Sequence, residues 1–346
     1  MTTDLAGKVL LVMPDEPDYL ALTLFHGFRS LLGSQAVDYP RCDVAYADFP
    51  ASARASIYGR GFSAFYLLPE ASIDRIAVAS RVASGQFKLV VFTSIQRQFG
   101  LFLQWRPFLS SQNTIITDSE DTPQPYPAAG RYWRRPYCWF LPRAHRQFLY
   151  FKREWTPDTQ FNLWHRLVPR SYRRLLPHSR NLRRISFSIP EEKIVRQLPA
   201  KTKLWPRHIV DPEVAARVPE SRTSYAFSTE GEYYADLQAS KFGITTKRAG
   251  WDCLRHYEIA ANGCVPCFRD LHLKPHTCAP HGLQSDVNCL CYRNADDLLG
   301  QIGKVDFGRY LQLQEGALAW ARANTTTAAA CRLLAECKLL RNSCKH

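Results

Sequence analysis

Residues 240–266 read SKFGITTKRAGWDCLRHYEIAANGCVP, a stretch dense in residue types that hold a phosphorylated ligand. Lys247, Arg248 and Gly250 follow an apolar strand, and a helix is expected to begin near Asp252. Cationic side chains and free backbone N–H groups at a helix N-terminus suit a pyrophosphate. Arg255 and Glu258 are three residues apart, so on a helix they share a face and can reach one ligand. A carboxylate there can accept hydrogen bonds from ribose hydroxyls. Asn262 and Gly263 stop the helix and complete the candidate ligand-binding set of Lys247, Arg248, Gly250, Arg255, Glu258, Asn262 and Gly263. The plainer alternative makes Arg255 and Glu258 an intrahelical ion pair and Lys247 and Arg248 surface charge. Trp251 and His256 read as packing residues.

Such a site needs elements to carry it. An apolar run at 7–13 reads as a buried strand, and a turn through Pro14, Asp15, Glu16 and Pro17 leads into helical spacing over 19–32. Further strands are expected at 87–92 and 114–117, the latter ending in the acidic cluster Asp118, Glu120 and Asp121. After residue 220 the pattern repeats: a strand at 224–228, a helix at 232–240, a strand at 242–245, a helix at 252–261, a strand at 264–268, and a largely helical 310–340. Strands alternating with helices predict parallel sheets, in which ligands sit at the carboxyl ends of strands. At 346 residues the chain exceeds one ordinary core, so two domains are expected, at 1–184 and 185–346, with a cleft between them. Its 46% apolar content can fill two cores.

The order Ser-x-Phe-Gly-Ile at 240–244, a basic glycine-containing loop, Arg-x-x-Glu at 255–258 and Gly-Cys-Val-Pro at 263–266 resembles the C-terminal signature of exostosin-like and related glycosyltransferases. The close match covers about residues 240–271. The resemblance implies an α/β, GT-B-like fold, with two Rossmann-like domains facing across a cleft and the donor nucleotide on the second. By it Arg255 contacts the diphosphate, Glu258 the ribose, and the 263–266 turn packs beside the nucleotide. It further implies a nucleotide-sugar donor, no required metal or other cofactor, and a glycan, lipid-linked or other acceptor hydroxyl. Many retaining enzymes of this fold carry Glu-x7-Glu, but eight positions before Glu258 stands Gly250, which tilts the expectation towards inversion. Inversion needs a general base from the first domain. Asp15, Glu16, Asp118, Glu120 and Asp121 are the catalytic candidates, and none is singled out by sequence.

Lysine and arginine number 45 against 31 aspartates and glutamates, a net charge of +14 that favours anionic partners. The excess concentrates in a basic, aromatic, proline-broken segment within 131–184. That segment suits nucleic acid, an anionic membrane leaflet or a solvated linker. Peripheral membrane contact is the secondary expectation, and nucleic acid is the less favoured partner. The rival from another class is a zinc-containing nucleic-acid-binding protein, since Cys253, Cys264, Cys267, His276, Cys278, His281, Cys289 and Cys291 supply enough soft ligands for a metal site. Against it, Cys264 and Cys267 fall inside an apolar strand, where free cysteine serves as a small buried residue. The short apolar run at 9–13, closed by Pro14, Asp15 and Glu16, does not read as an export signal, so a cytoplasmic protein with free thiols is expected. No Gly-x-Gly-x-x-Gly follows the first strand, which counts against a Rossmann oxidoreductase.

Overall fold

The computed structural model describes residues 8–57, 61–127, 143–157, 159, 168–169, 172 and 180–337. Most of the basic segment expected within 131–184 therefore lies outside the described residues. Continuous apolar runs form the strands, as they must in a parallel sheet covered on both faces. The first sheet comprises β1 (Lys8–Val12), β2 (Ala36–Tyr39), β3 (Phe87–Phe92), β4 (Thr114–Asp118), β5 (Leu149–Lys152) and β6 (Leu182–Arg184). Its order is β2-β1-β3-β4-β5-β6, and every pairing is parallel.

Alternation along these strands splits the core in two. Val9, Leu11, Leu89, Val91 and Ile115 point to one face, while Leu10, Val12, Val90, Phe92 and Ile116 point to the other. The second face is covered by α2 (Val78–Ala83) and α3 (Ile95–Trp105), through Val78, Val82, Phe99, Phe102 and Trp105. The first is covered by α1 (Tyr19–Leu32), whose N-cap Asp18 accepts from Ala21 N at 3.0 Å. A short α4 (Ala144–Gln147) precedes β5.

Beyond β6 the chain builds a second, three-stranded parallel sheet, β7 (Phe242–Thr245), β8 (Val265–Arg269) and β9 (Leu290–Tyr292), in that order. Its helices are α5 (Pro212–Ala215), α6 (Glu230–Ala239), α7 (Leu254–Ala261), α8 (Ala295–Ile302) and α9 (Phe307–Ala323), followed by α10 (Thr326–Glu336). No described helix is long and apolar enough to cross a membrane.

Two local expectations are corrected. Residues 224–228 form no strand: the backbone nearby pairs only through the isolated bridge of Arg222 with His208, and Phe227 packs with Tyr233 and Leu237. The helix beyond starts at Glu230, because Thr229 and Glu232 form a capping box. The helical stretch expected over 310–340 is broken at Asn324 and Thr325, where Thr325 caps α10 by accepting from Ala328 N. That break turns α10 back onto α1 of the first sheet, where Ala329, Ala330 and Leu333 join the core of Phe25 and Phe28. Gly27 makes the approach close, since a Cβ there would overlap the Thr326 carbonyl. Gly27→Ala should therefore separate α1 from α10 and lower stability by about 1–3 kcal/mol, as read by urea unfolding.

Candidate active site at the cleft between the two sheets

The carboxyl ends of both sheets open onto one cleft of about 810 Å³. On its first wall it meets the turn after β1 and the segment after β4, near the point where the strand order reverses. Its second wall is the 248–255 loop and the start of α7.

The seam between the walls is a buried charge network. Arg153, 2% exposed, donates to Ser119 O at 2.8 Å, to Asp252 O at 3.0 Å and to Glu154 Oε1 at 3.2 Å, and it pairs with Asp121. Glu154 Oε1 in turn accepts from Trp251 N at 2.8 Å and Asp252 N at 3.2 Å, and Oε2 accepts from Cys278 Sγ at 3.0 Å. The Asp252 carboxylate accepts from Phe187 N at 2.7 Å, and burial pushes its pKa up to about 6. Gly250 is buried against this knot, and a Cβ there would lie 2.5 Å from Glu154 Oε1 and 2.6 Å from Asp121 Oδ1. A side chain at the position that carries the first acid of the Glu-x7-Glu pattern would therefore have to displace the Glu154 and Asp121 carboxylates.

On the second wall, Cys253 is the extended N-cap of α7, and Arg248 and Arg255 reach the cleft beside it. Among the described residues no carboxylate stands within ion-pairing distance of either arginine. His208 lines the same wall, its pKa lowered to about 4 by burial and by the neighbouring Arg255 and Arg248. Glu258, 8% exposed, faces the cleft one turn along α7 and accepts from Tyr233 OH at 2.9 Å and from Ser63 Oγ. Burial holds its pKa above the ordinary carboxylate value, against the lowering effect of those two donors.

The donor candidates thus divide. Arg248, Gly250, Arg255 and Glu258 meet at the cleft, whereas Lys247, Asn262 and Gly263 are not in its lining. Lys247 Nζ stands 5.0 Å over the Trp251 ring. Asn262 is fully buried, donating to Glu258 O at 2.9 Å and accepting from Gln238 at 2.8 Å. Gly263 ends α7 with φ 64°, a left-handed turn that glycine takes without strain.

The acids divide as well. Asp15 and Glu16 lie on an exposed turn outside the lining. Asp118 is 1% exposed and consumed by Lys152 Nζ at 2.9 Å and by Tyr150 OH. Asp121 lines the cleft but pairs with Arg153. Glu120 lines it with no cation at ion-pairing distance among the described residues, and the Gln96 amide reaches it at 2.9 Å in the orientation that satisfies both groups. Burial and the nearby Asp118 raise its pKa. Sequence reasoning missed Asp18, whose Oδ2 accepts from Ser119 Oγ at 2.6 Å and Arg97 Nη1 at 2.9 Å on the first wall. Its position just before a helical pattern was the available signal. Arg97, Arg153, Glu154, His208 and Ser63 carried no local signal.

No protein-family model matches the chain, and no curated protein does. Solved structures do. The Anabaena protein HepE in complex with UDP and glucose aligns with TM-score 0.53 and 11% identity, over 95% of this chain and 98% of its own. HepE with UDP-glucose gives 0.53 and 8%, over 96% and 100%. A glycosyltransferase from Rickettsia africae gives 0.55 and 9%, over 97% and 99%. The fold is GT-B-like. At such identities the likeness concerns the fold alone, and the site rests on its own geometry.

The cysteines occupy a different role in this GT-B-like fold. Cys264, Cys267, Cys278 and Cys289 are fully buried and belong to apolar cores, with burial pushing the Cys264 and Cys289 thiols up to about 12. Among the described residues no group of three or more His, Cys, Asp or Glu side chains is placed to hold a metal ion.

A neutral histidine beside two arginines that have no carboxylate partner among the described residues is a measurable signature. The His208 imidazole should titrate near pH 4 by NMR, and Arg255→Met should move that titration upward, because the largest neighbouring positive charge is gone.

Proposed function

We propose that the protein is a glycosyltransferase that takes a sugar from a nucleotide-sugar donor, with inversion, and delivers it to a hydroxyl of a glycan, lipid-linked or other acceptor. One observation carries this reading: two arginines without carboxylate partners among the described residues, Arg248 and Arg255, flank the N-terminus of α7, and Glu258 shares the helix face of Arg255. Guanidinium groups facing a cleft without a counter-ion call for an anion, and a helix N-terminus adds free N–H groups for phosphate oxygens. The exostosin-like signature over 240–271 and the UDP bound by HepE agree with a nucleoside diphosphate there.

In the reaction, Glu120 accepts the acceptor hydroxyl proton as its oxygen attacks the anomeric carbon. The bond from that carbon to the diphosphate oxygen breaks, and its electron pair leaves on the diphosphate. Arg248 and Arg255 stabilise the charge that develops, the role electrostatic preorganisation plays best in a partly dehydrated site. Charge supplied in this way asks for no metal cofactor. Glu120 suits the base because it alone of the five acids lines the cleft without a cation partner among the described residues, and burial raises its pKa.

Two tests follow from these roles. Arg255→Ala should abolish the rise in melting temperature that a matching nucleoside diphosphate produces, while leaving the ligand-free melting temperature unchanged; a retained shift refutes the assignment. Glu120→Gln should lower kcat by about 100-fold or more with donor binding intact. The acid limb of the wild-type rate should lie above the ordinary carboxylate range, since the base is lost as pH falls through a raised pKa.

A further inference from the structure

Ser63 belongs to the first half of the chain, yet it reaches across the cleft to the helices of the second. Its Oγ donates to Glu258 Oε1, and its backbone N donates to Glu230 Oε1 at 2.5 Å. The same Oγ lies 2.7 Å from Tyr234 OH. A serine hydroxyl has one hydrogen, and an ionised Glu258 can only accept it, so Tyr234 must be the donor in that contact. The result is a relay from Tyr234 OH through Ser63 Oγ to Glu258, with Tyr233 OH donating to the other carboxylate oxygen at 2.9 Å. Burial and the Glu258 charge raise both tyrosine pKa values well above the ordinary range, so both remain donors.

The backbone is bent to make this reach. Ser63 sits at φ 66°, a left-handed conformation that costs a non-glycine residue energy and is kept where surroundings over-determine it. Phe62 anchors the loop, its ring 5.8 Å from Tyr225 and 6.2 Å from Tyr233. Glu230 is held in turn by Lys193 Nζ at 2.6 Å.

We propose that Ser63 is a positioning residue for donor binding: it aims the Glu258 carboxylate at the ribose hydroxyls, so the ribose subsite is completed by the first half of the chain and only when the two walls are closed. The inference rests on the donor reading of Glu258 given above. It makes donor affinity depend on closure, because the hydrogen bond that orients Glu258 comes from the opposite wall.

The charges facing Glu258 set the expected pH behaviour. Burial raises its pKa and Glu230 adds to the rise, while Ser63, Tyr233 and Arg255 lower it. Removing the Ser63 hydroxyl takes away one of the lowering contacts, so the carboxylate protonates at higher pH.

The test is equilibrium binding to the full chain of inorganic pyrophosphate and of whichever of UDP, GDP, ADP and CDP binds most tightly. Ser63→Ala should weaken the nucleoside diphosphate about tenfold, the loss expected for one hydrogen bond to a charged group. Pyrophosphate affinity should stay unchanged, which also shows that the variant is folded. The acid limit of nucleotide binding should move to higher pH, and in a Glu258→Gln background Ser63→Ala should add no further loss. An equal loss for both ligands, no loss for the nucleotide, or a full loss persisting without Glu258 overturns the positioning role. Wild-type protein that binds none of the four nucleotides overturns the donor reading itself.

Discussion

The buried guanidinium of Arg153 is the constraint on which the cleft depends. A charge this deep is tolerated only when its hydrogen-bonding directions are satisfied. Here they are satisfied by groups from both walls: Ser119 O and Asp121 on one side, Asp252 O on the other, with Glu154 between them. Glu154 then ties down the backbone N–H groups of Trp251 and Asp252, the residues immediately before α7. Removing Arg153 would leave Glu154 and Asp121 without their cation, and removing Glu154 would leave the Trp251 and Asp252 N–H groups without their acceptor. The pair therefore fixes the loop that carries Arg248 and the register from which Arg255 and Glu258 project. The absence of a side chain at Gly250 belongs to the same constraint, since the two carboxylates occupy the space.

Charge in the cleft is sorted by whether it is already paired. Arg97 and Arg153 meet carboxylates, and Asp18, Asp118 and Asp121 meet cations, so these groups hold structure together. Arg248, Arg255 and Glu120 have no such partner among the described residues. Those cations lie on one wall and that carboxylate on the other, the distribution that the proposed transfer, with an anionic leaving group and a proton acceptor, calls for. His208, held neutral beside Arg248 and Arg255, adds a donor or acceptor there without adding a third positive charge at neutral pH.

The two sheets do not stand apart behind this cleft. One core cluster runs from Val9, Leu11 and Phe25 through Phe151, Ile185 and Phe187 to Trp251, Tyr257 and Trp320. The return of α10 onto α1 closes it, helped by Ile189 N donating to Asn324 O at 3.1 Å and by His26, which meets Thr326 Oγ1 and Glu192 at 2.9 Å each. Relative motion of the walls therefore has to be absorbed beside a continuous apolar core. Contacts such as that of Ser63 with Glu258 gain their meaning from that mechanical link.

Local periodicity in the sequence determined the strands at 87–92, 114–117 and 242–245, the helix carrying Arg255 and Glu258 on one face, and its stop at Asn262 and Gly263. Such features depend on residues within a turn or a strand of each other, so composition and spacing are enough to read them. That Glu120 alone of the five acids lines the cleft without a cation partner among the described residues, and that Asp118 is retired into an ion pair with Lys152, could not be read that way. Nor could Ser63, 195 positions from the carboxylate it meets, or Arg153, 99 positions from Asp252. Those pairings exist because two parallel sheets present their carboxyl ends to a common cleft. Only packing, in which distant segments are brought within hydrogen-bonding range and desolvated together, decides which charged groups are spent on structure and which are left for a ligand.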